Sequence, residues 1–191
     1  MPNKLVYRIG VNDADYPVQP TVNGKQVMCP FYGAWISMLK RCYCEKFHFK
    51  YPTYIGCSIC AEWIIFSKFK AWMEVQSWQG KQLDKDLLVK GNKFYSPENC
   101  VFVDRVTNSF TIDRGANRGV WPLGVSFDKR DVKFRAQCSN PFTKKNENLG
   151  YFTCSDEAHQ AWKKRKHELA CQLADFQTDK RVAAVLRTRY L

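Results

Sequence analysis

The sequence has no long hydrophobic run. Nothing in it approaches the ~20 apolar residues that a membrane-crossing helix needs, so no span is expected. No secretory leader is expected either, since Met1-Pro2-Asn3-Lys4 leads straight into polar sequence. No internal repeat and no low-complexity tract is found, which excludes solenoids and biased disordered segments. Negative charge is scarce, with 18 Asp and Glu against 30 Lys and Arg and a formal net charge of +12. That deficit favours a polyanionic partner, nucleic acid first and an anionic membrane second. Cysteine is not scarce, but nine is an odd number and no leader is expected, so a secreted disulfide framework is not the expectation. A reducing cytoplasm, with thiols acting mainly as small buried hydrophobes, is the expectation.

What is present is a folded, aromatic-rich chain of 191 residues, enough for one full domain or two small ones. The basic surplus is uneven: residues 114–191 hold 16 basic and 8 acidic side chains. Residues 1–28 read as an extended lead-in, with Leu5 to Tyr7 as a candidate strand before Pro17 and Pro20. From Phe31 to Cys44, Trp35, Met38, Leu39 and Cys42 recur at helical spacing, with Lys40 and Arg41 towards the other face. Residues 45–60 read as a loop. A second helix is expected from about Ala61 to Ser77, carrying Trp63, Ile64, Phe66, Phe69, Trp72 and Met73 as a core stripe.

The stretch Leu83-Asp84-Lys85-Asp86 to Val103 organises the rest. Two short apolar runs, Leu87 to Val89 and Cys100 to Val103, enclose a loop holding Gly91, Asn92, Ser96, Pro97 and Asn99. Strand, loop, strand and then helix is the reading, with acidic and amide side chains where the strand enters the loop and again at Asn108. Such an arrangement can hold one divalent cation against a phosphate.

Arg114 to Gly119 reads as a hinge, so the expected domains are residues 1–113, 114–176 and a basic tail, 177–191. In the second, Leu123 to Phe127, Val132 to Cys138 and Leu149 to Phe152 form three strands. The middle one alternates, placing Phe134, Ala136 and Cys138 on one face and Lys133, Arg135 and Gln137 on the other. A helix follows from Ser155, its expected N-cap, to about Phe176. Lys163 to Lys166 read as a solvated face, and the tail as a short basic amphipathic helix.

Two resemblances attach to these residues. The segment LDKDLLVKGNKFYSPENC, over roughly 30 residues, resembles HNH, or His-Me finger, endonucleases of the phage homing type. Looser support lies in Trp35-x-x-Met38-x-x-Arg41-Cys42 and Cys60-x-Glu62-Trp63. The resemblance implies a ββα element holding one Mg²⁺, with no small-molecule cofactor. Asp84 and Asn108 fall on the metal ligands and Asn99 on the supporting loop Asn. Lys85 stands where that family carries its general-base His. Either Lys85 supplies charge or proton handling with Asp86, or His48 is brought in, or the finger is degenerate and binds without cutting. Glu62, Asp84 and Asp86 form an alternative cation set.

Residues 119–174 resemble the DNA-binding domain of the plant APETALA and ethylene-response factors. That likeness implies a sheet laid in the major groove, with Ser126, Lys129, Arg130, Lys133, Arg135 and Gln137 at the contacting places. The expected fold class is therefore α+β: a ββα-metal nuclease domain with flanking helices, then a three-stranded antiparallel sheet with a helix. The implied function is a metal-dependent endonuclease acting on double-stranded DNA, phage-encoded and working in a bacterial cytoplasm. Separately, Cys42, Cys44, Cys57 and Cys60 have spacing that a structural Zn²⁺ can use, or are buried thiols.

Overall fold

The computed structural model describes residues 5–112 and 120–191. The chain is α+β and divides into two compact units, Met1–Asp104 and Arg105–Leu191. The proposed hinge at 114–119 lies outside the described residues, and the compact division falls earlier, after Asp104.

In the first unit, β1 (Thr21–Val22) and β2 (Lys25–Gln26) form a hairpin. Its turn residues, Asn23 and Gly24, both have positive φ, which a two-residue hairpin loop demands. Leu5 to Tyr7 do not form a strand; Tyr7 and Arg8 turn through positive φ, and only Val6 bridges back to Gly10. Helix α1 (Pro30–Tyr43) starts on a proline, whose missing N–H costs nothing there, and buries Tyr32, Trp35, Met38, Leu39 and Cys42. Residues 45–60 are more ordered than a loop. They hold α2 (Glu45–Lys50), a 3₁₀ turn at Pro52–Tyr54 and β3 (Ser58–Ile59).

The expected helix from 61 to 77 is broken in two. A 3₁₀ turn, Ala61–Ile64, precedes α3 (Phe66–Glu74), and Ile65 between them is extended. The cause is tertiary: Val11 donates to the Ile64 carbonyl and accepts from the Phe66 amide, bridging Ile65 into a short parallel pairing. Two β pairs complete the unit. β3 runs parallel to β5 (Phe94–Tyr95), and β4 (Gln82–Asp84) runs antiparallel to β6 (Val101–Val103). The core gathers Trp35, Met38, Leu39, Trp63, Phe66 and Phe69, all essentially inaccessible.

The second unit holds α4 (Arg105–Thr111), the sheet β7 (Val125–Asp128), β8 (Lys133–Ser139), β9 (Asn146–Phe152), and the helices α5 (Ser155–Asp175) and α6 (Lys180–Thr188). The sheet is antiparallel in the order β7-β8-β9, with a bulge between Ala136 and Gln137. Ala136 and Cys138 are buried beneath α5, whose Ala158, Leu169, Ala170 and Leu173 face inward, as the alternation predicts. The α5 cap differs from expectation. Ser155 is the first helical residue and Cys154 sits at the cap without a side-chain bond. The last helix is capped by Asp179, which accepts from the Arg181 amide, and buries Val182 and Leu186. The expected short basic amphipathic helix is thus present, and its apolar face joins the core of this unit.

Gly124, at the start of β7, shows how closely that core is fitted. Its φ is +76°, and a Cβ placed there would lie 2.0 Å from Cδ1 of Trp162. The Trp162 ring in turn stacks on His159, whose Nδ1 donates to the Leu123 carbonyl at 2.9 Å.

The basic run on α5 is not a uniformly solvated face. Arg165 forks onto Glu147 of β9, Nε to Oε2 at 2.7 Å and Nη2 to Oε1 at 3.1 Å, and also reaches Glu168. With Asn140 donating to the same carboxylate, these bonds hold Glu147 down at about 2. A depressed carboxylate stabilises the fold above its ordinary range and loses that contribution as pH falls towards the folded value. Acid titration from pH 4.5 to 2 is therefore expected to destabilise the wild type more steeply than Glu147→Gln, followed by circular dichroism. Parallel curves would remove this ion pair from the acid response.

Candidate functional site

β4 ends on Asp84, paired across to Val101 of β6. The first strand therefore ends on the first member of the acidic pair, at Gln82–Asp84, and Leu87 to Val89 belong to the loop instead of forming a strand. The reason is visible in the bonds that close the loop. Asp84 Oδ1 accepts the amides of Asp86 at 2.9 Å and Leu87 at 2.7 Å, turning the chain immediately after the strand. Burial and the neighbouring Asp86 charge hold the Asp84 carboxyl above its ordinary range, against those two bonds.

Asn92 closes the other side. Its Nδ2 donates to the Lys85 carbonyl and to the Phe94 carbonyl, each at 2.7 Å, while its Oδ1 accepts the Phe94 amide at 3.1 Å. Lys85, in the position of interest, is 7% exposed. Its ammonium donates to the Asn92 carbonyl at 2.8 Å and to Asp86 Oδ2 at 3.2 Å. It ties the loop together from within, and its stem is covered. Asn99 is half-buried in the turn Pro97 to Asn99, where the Cys100 amide donates to the Ser96 carbonyl.

Arg41 is the residue that periodicity misplaced. It is half-buried instead of outward-facing, and its Nη1 donates to the Leu83 carbonyl at 3.3 Å. Burial opposes its charge, but Tyr95, Tyr54 and Asp84 around it raise its pKa overall. It lies three residues after Met38 and beside Cys42, at the edge of the apolar stripe, and Tyr54 and Tyr95 surround its guanidinium. His48 does not enter the site: its Nε2 donates to the Arg41 main-chain carbonyl at 2.7 Å.

Asn108 lies within α4 of the second unit, and Asp84 in the first. Among the described residues no three His, Cys, Asp or Glu side chains gather as a metal-holding group. The structure thus brings Asp84, Lys85, Asp86 and Asn92 together in one loop and does not assemble Glu62 with Asp84 and Asp86. Cys42 and Cys57 are buried, and Cys44 and Cys60 partly so, all as free thiols. Burial pushes Cys42 up to about 12 and raises Cys57 and Cys60, which is the behaviour of thiols packed among apolar groups.

In the second unit, the β-register puts Ser126 opposite Arg135, and Arg135 opposite Tyr151, on the sheet face away from α5. Gln137 joins them, opposite Asn148 across the bulge. Lys133 is exposed opposite Asp128, and Lys129 and Arg130 occupy the β7–β8 turn. That turn is built by Asp128, whose Oδ1 accepts the Arg130 amide at 3.0 Å, and by Val132 at φ 51°. Arg130 is forked onto Asp131 at 3.2 and 3.3 Å, so its charge is partly answered within the turn. Arg135 differs, because its Nε is buried without a hydrogen-bond partner among the described residues. A buried donor left unmet costs stability unless a ligand or water supplies the acceptor.

A scan of family models, a search of curated proteins and a search of solved structures each found no match to this chain. No helix among the described residues is long and apolar enough to cross a membrane.

Proposed function

We propose that this protein is a divalent-metal-dependent DNA endonuclease of homing type, phage-encoded and acting in the host cytoplasm, with a ββα-metal finger around Asp84. The observation that carries the reading is the placement of Asp84. It ends one strand of an antiparallel pair, half-buried, beside a second carboxylate at Asp86, in a chain of net charge +12. The donors fit magnesium in kind, since that ion takes hard oxygen ligands and is often held by one or two carboxylates plus substrate phosphate. Asp84 would hold it, with Asn108 as the partner ligand that the resemblance implies. Bound there, the ion would polarise a scissile phosphodiester and stabilise its leaving oxygen.

The chain's own residues prepare that site. The paired amides of Asp86 and Leu87 fix the Asp84 carboxylate in one orientation. Asn92 and the Lys85 ammonium hold the loop shut behind it, and Arg41 keeps a fixed positive charge in the neighbourhood. Asn99 supports the returning turn. Asp86, whose Oδ2 accepts from Lys85, is the nearer candidate for proton handling. On the second unit, Ser126, Lys129, Lys133, Arg135 and Gln137, with Arg130 at the turn, would lie along the duplex. Lysines and arginines would neutralise phosphates there, and Arg135 or Gln137 would read base edges.

One observation favours a second reading, a DNA-binding protein whose finger no longer cuts. Lys85 stands at the base position and its ammonium is engaged inside the loop. Plasmid nicking with Mg²⁺ or EDTA, alongside gel-shift binding, decides between them. Wild type is expected to nick only with the metal. Asp84→Asn keeps the oxygen that accepts the two amides but loses the charge, and should cut at least about 100-fold more slowly with binding retained. Duplex binding without metal-dependent nicking would establish the second reading. Absence of binding would sink both.

A further inference from the structure

The second unit contains a cleft of about 870 Å³ that shares Ser126 and Gln137 with the sheet-face reading and extends beyond them to α4 and α5. Its walls are α4, the strands β7 and β8 and α5, with contributions from the β8–β9 connection. The charge of the lining is one-sided. Arg105, Lys144 and Lys166 face it, and no carboxylate is among the described lining residues. Apolar groups from α4 and α5 supply the floor, Phe110 and Trp162, and Val106 and Ile112 remain 45% and 55% exposed at it. Amides are present too, at Gln137 and Asn146.

Among the described residues, Val106 and Ile112 stand open beside three cations. The combination selects a ligand that is anionic at one end, flat and apolar in its body and able to hydrogen-bond at its edge. A volume of this size is in the usual range for a small-molecule or cofactor site. An acidic peptide meets the charge and the amides but lacks the flat body, and a lipid headgroup meets only the charge. A nucleoside phosphate meets all three requirements.

We propose that this cleft binds a nucleotide unit, its phosphate among Arg105, Lys144 and Lys166 and its base against the α4 apolar wall. The inference rests on the reading of the second unit as a nucleic-acid-binding module, and adds a pocket that adjoins the sheet face at Ser126 and Gln137. Lys166 is already poised there. Its ammonium donates to the Phe110 carbonyl at 2.9 Å and lies 3.3 Å from the Phe110 ring centroid. Burial lowers it to about 8, with Arg189 adding repulsion and Cys138 opposing, so an anion brought beside it would favour its charged form. The nucleotide can come as a free monophosphate or as one unsealed unit of a strand, and the chemistry recognised is the same.

The test uses the full chain and two probes, a free deoxynucleoside monophosphate by calorimetry and a fluorescein-labelled single-stranded oligonucleotide by anisotropy. Arg105→Ala/Lys144→Ala is compared with Lys164→Ala/Lys180→Ala, which removes equal charge from exposed positions on α5 and α6 outside the lining. The expected result is at least about a tenfold loss for either probe in the first variant and less than about twofold in the second. A loss for both probes identifies a mononucleotide site; a loss for the oligonucleotide alone identifies a strand unit. Equal losses in the two variants, or no binding of either probe by wild type, would overturn the proposal. Wild-type duplex binding, measured in parallel, keeps the outcomes separate: if it is absent while the monophosphate binds as expected, the duplex reading fails and the cleft stands.

Discussion

Gly124→Ala is expected to cost the second unit at least about 3 kcal/mol and to strip hydrogen-exchange protection from the sheet and α5. Two penalties act together. The backbone at +76° disfavours any side chain, and the added methyl would lie 2.0 Å from Trp162 Cδ1 and 2.1 Å from its Cγ. The indole cannot simply turn aside, because His159 is stacked on it at 5.3 Å and is anchored to the neighbouring Leu123 carbonyl. Either β7 leaves the sheet or α5 shifts along its length. Hydrogen-exchange mass spectrometry distinguishes this from a general loss of stability, since peptides from α1 and α3 report the first unit separately. Protection of β7 and α5 unchanged from wild type would show that the Gly124–Trp162 approach is not as tight as described. Trp162→Leu combined with Gly124→Ala should recover part of the loss, because the ring edge that the methyl strikes would be gone.

Trp35→Ala carries the second large effect, about 3–5 kcal/mol from the first unit. Trp35 is 0% exposed, packs against Tyr32 and Phe66 at 5.6 and 5.5 Å, and donates from Nε1 to the Trp63 carbonyl at 2.7 Å. Its removal leaves a cavity where α1 meets the Ala61–Ile64 turn, and leaves the Trp63 carbonyl without its donor. Trp35→Phe separates the two contributions. It keeps most of the ring volume and loses the donor, so urea denaturation should place it about 1–2 kcal/mol below wild type, between the two extremes. Trp35→Phe as damaging as Trp35→Ala would mean that the hydrogen bond, not the packing, holds this junction.

The elements legible in the sequence were those whose signal is local. The α1 stripe of Trp35, Met38, Leu39 and Cys42 became the buried face of α1, and the alternation through β8 placed Ala136 and Cys138 under α5, as expected. The strand order β7-β8-β9 followed from short connections between consecutive apolar runs. What misled was any run whose partner is distant. Ile65 looked helical until Val11 bridged to it, and Leu87 to Val89 looked like a strand until Asp84 spent its carboxylate oxygen on the two following amides. Periodicity points Arg41 outward, whereas Tyr54 and Tyr95 surround its guanidinium in the fold.

The site divides along the same line. Composition by itself determined the basic character of the chain, and local order determined that Asp84, Lys85, Asp86 and Asn92 share one loop, because residues so close in sequence meet whatever the fold. Tertiary structure decided the state of each group within it. It buried the Lys85 ammonium against the Asn92 carbonyl and lifted the Asp84 carboxyl by burial beside Asp86. It also left Arg135 Nε without an acceptor among the described residues and collected Arg105, Lys144 and Lys166 around one cleft. Desolvation and the meeting of charges from separate segments depend on the packed arrangement, and side-chain spacing along the chain carries no record of either.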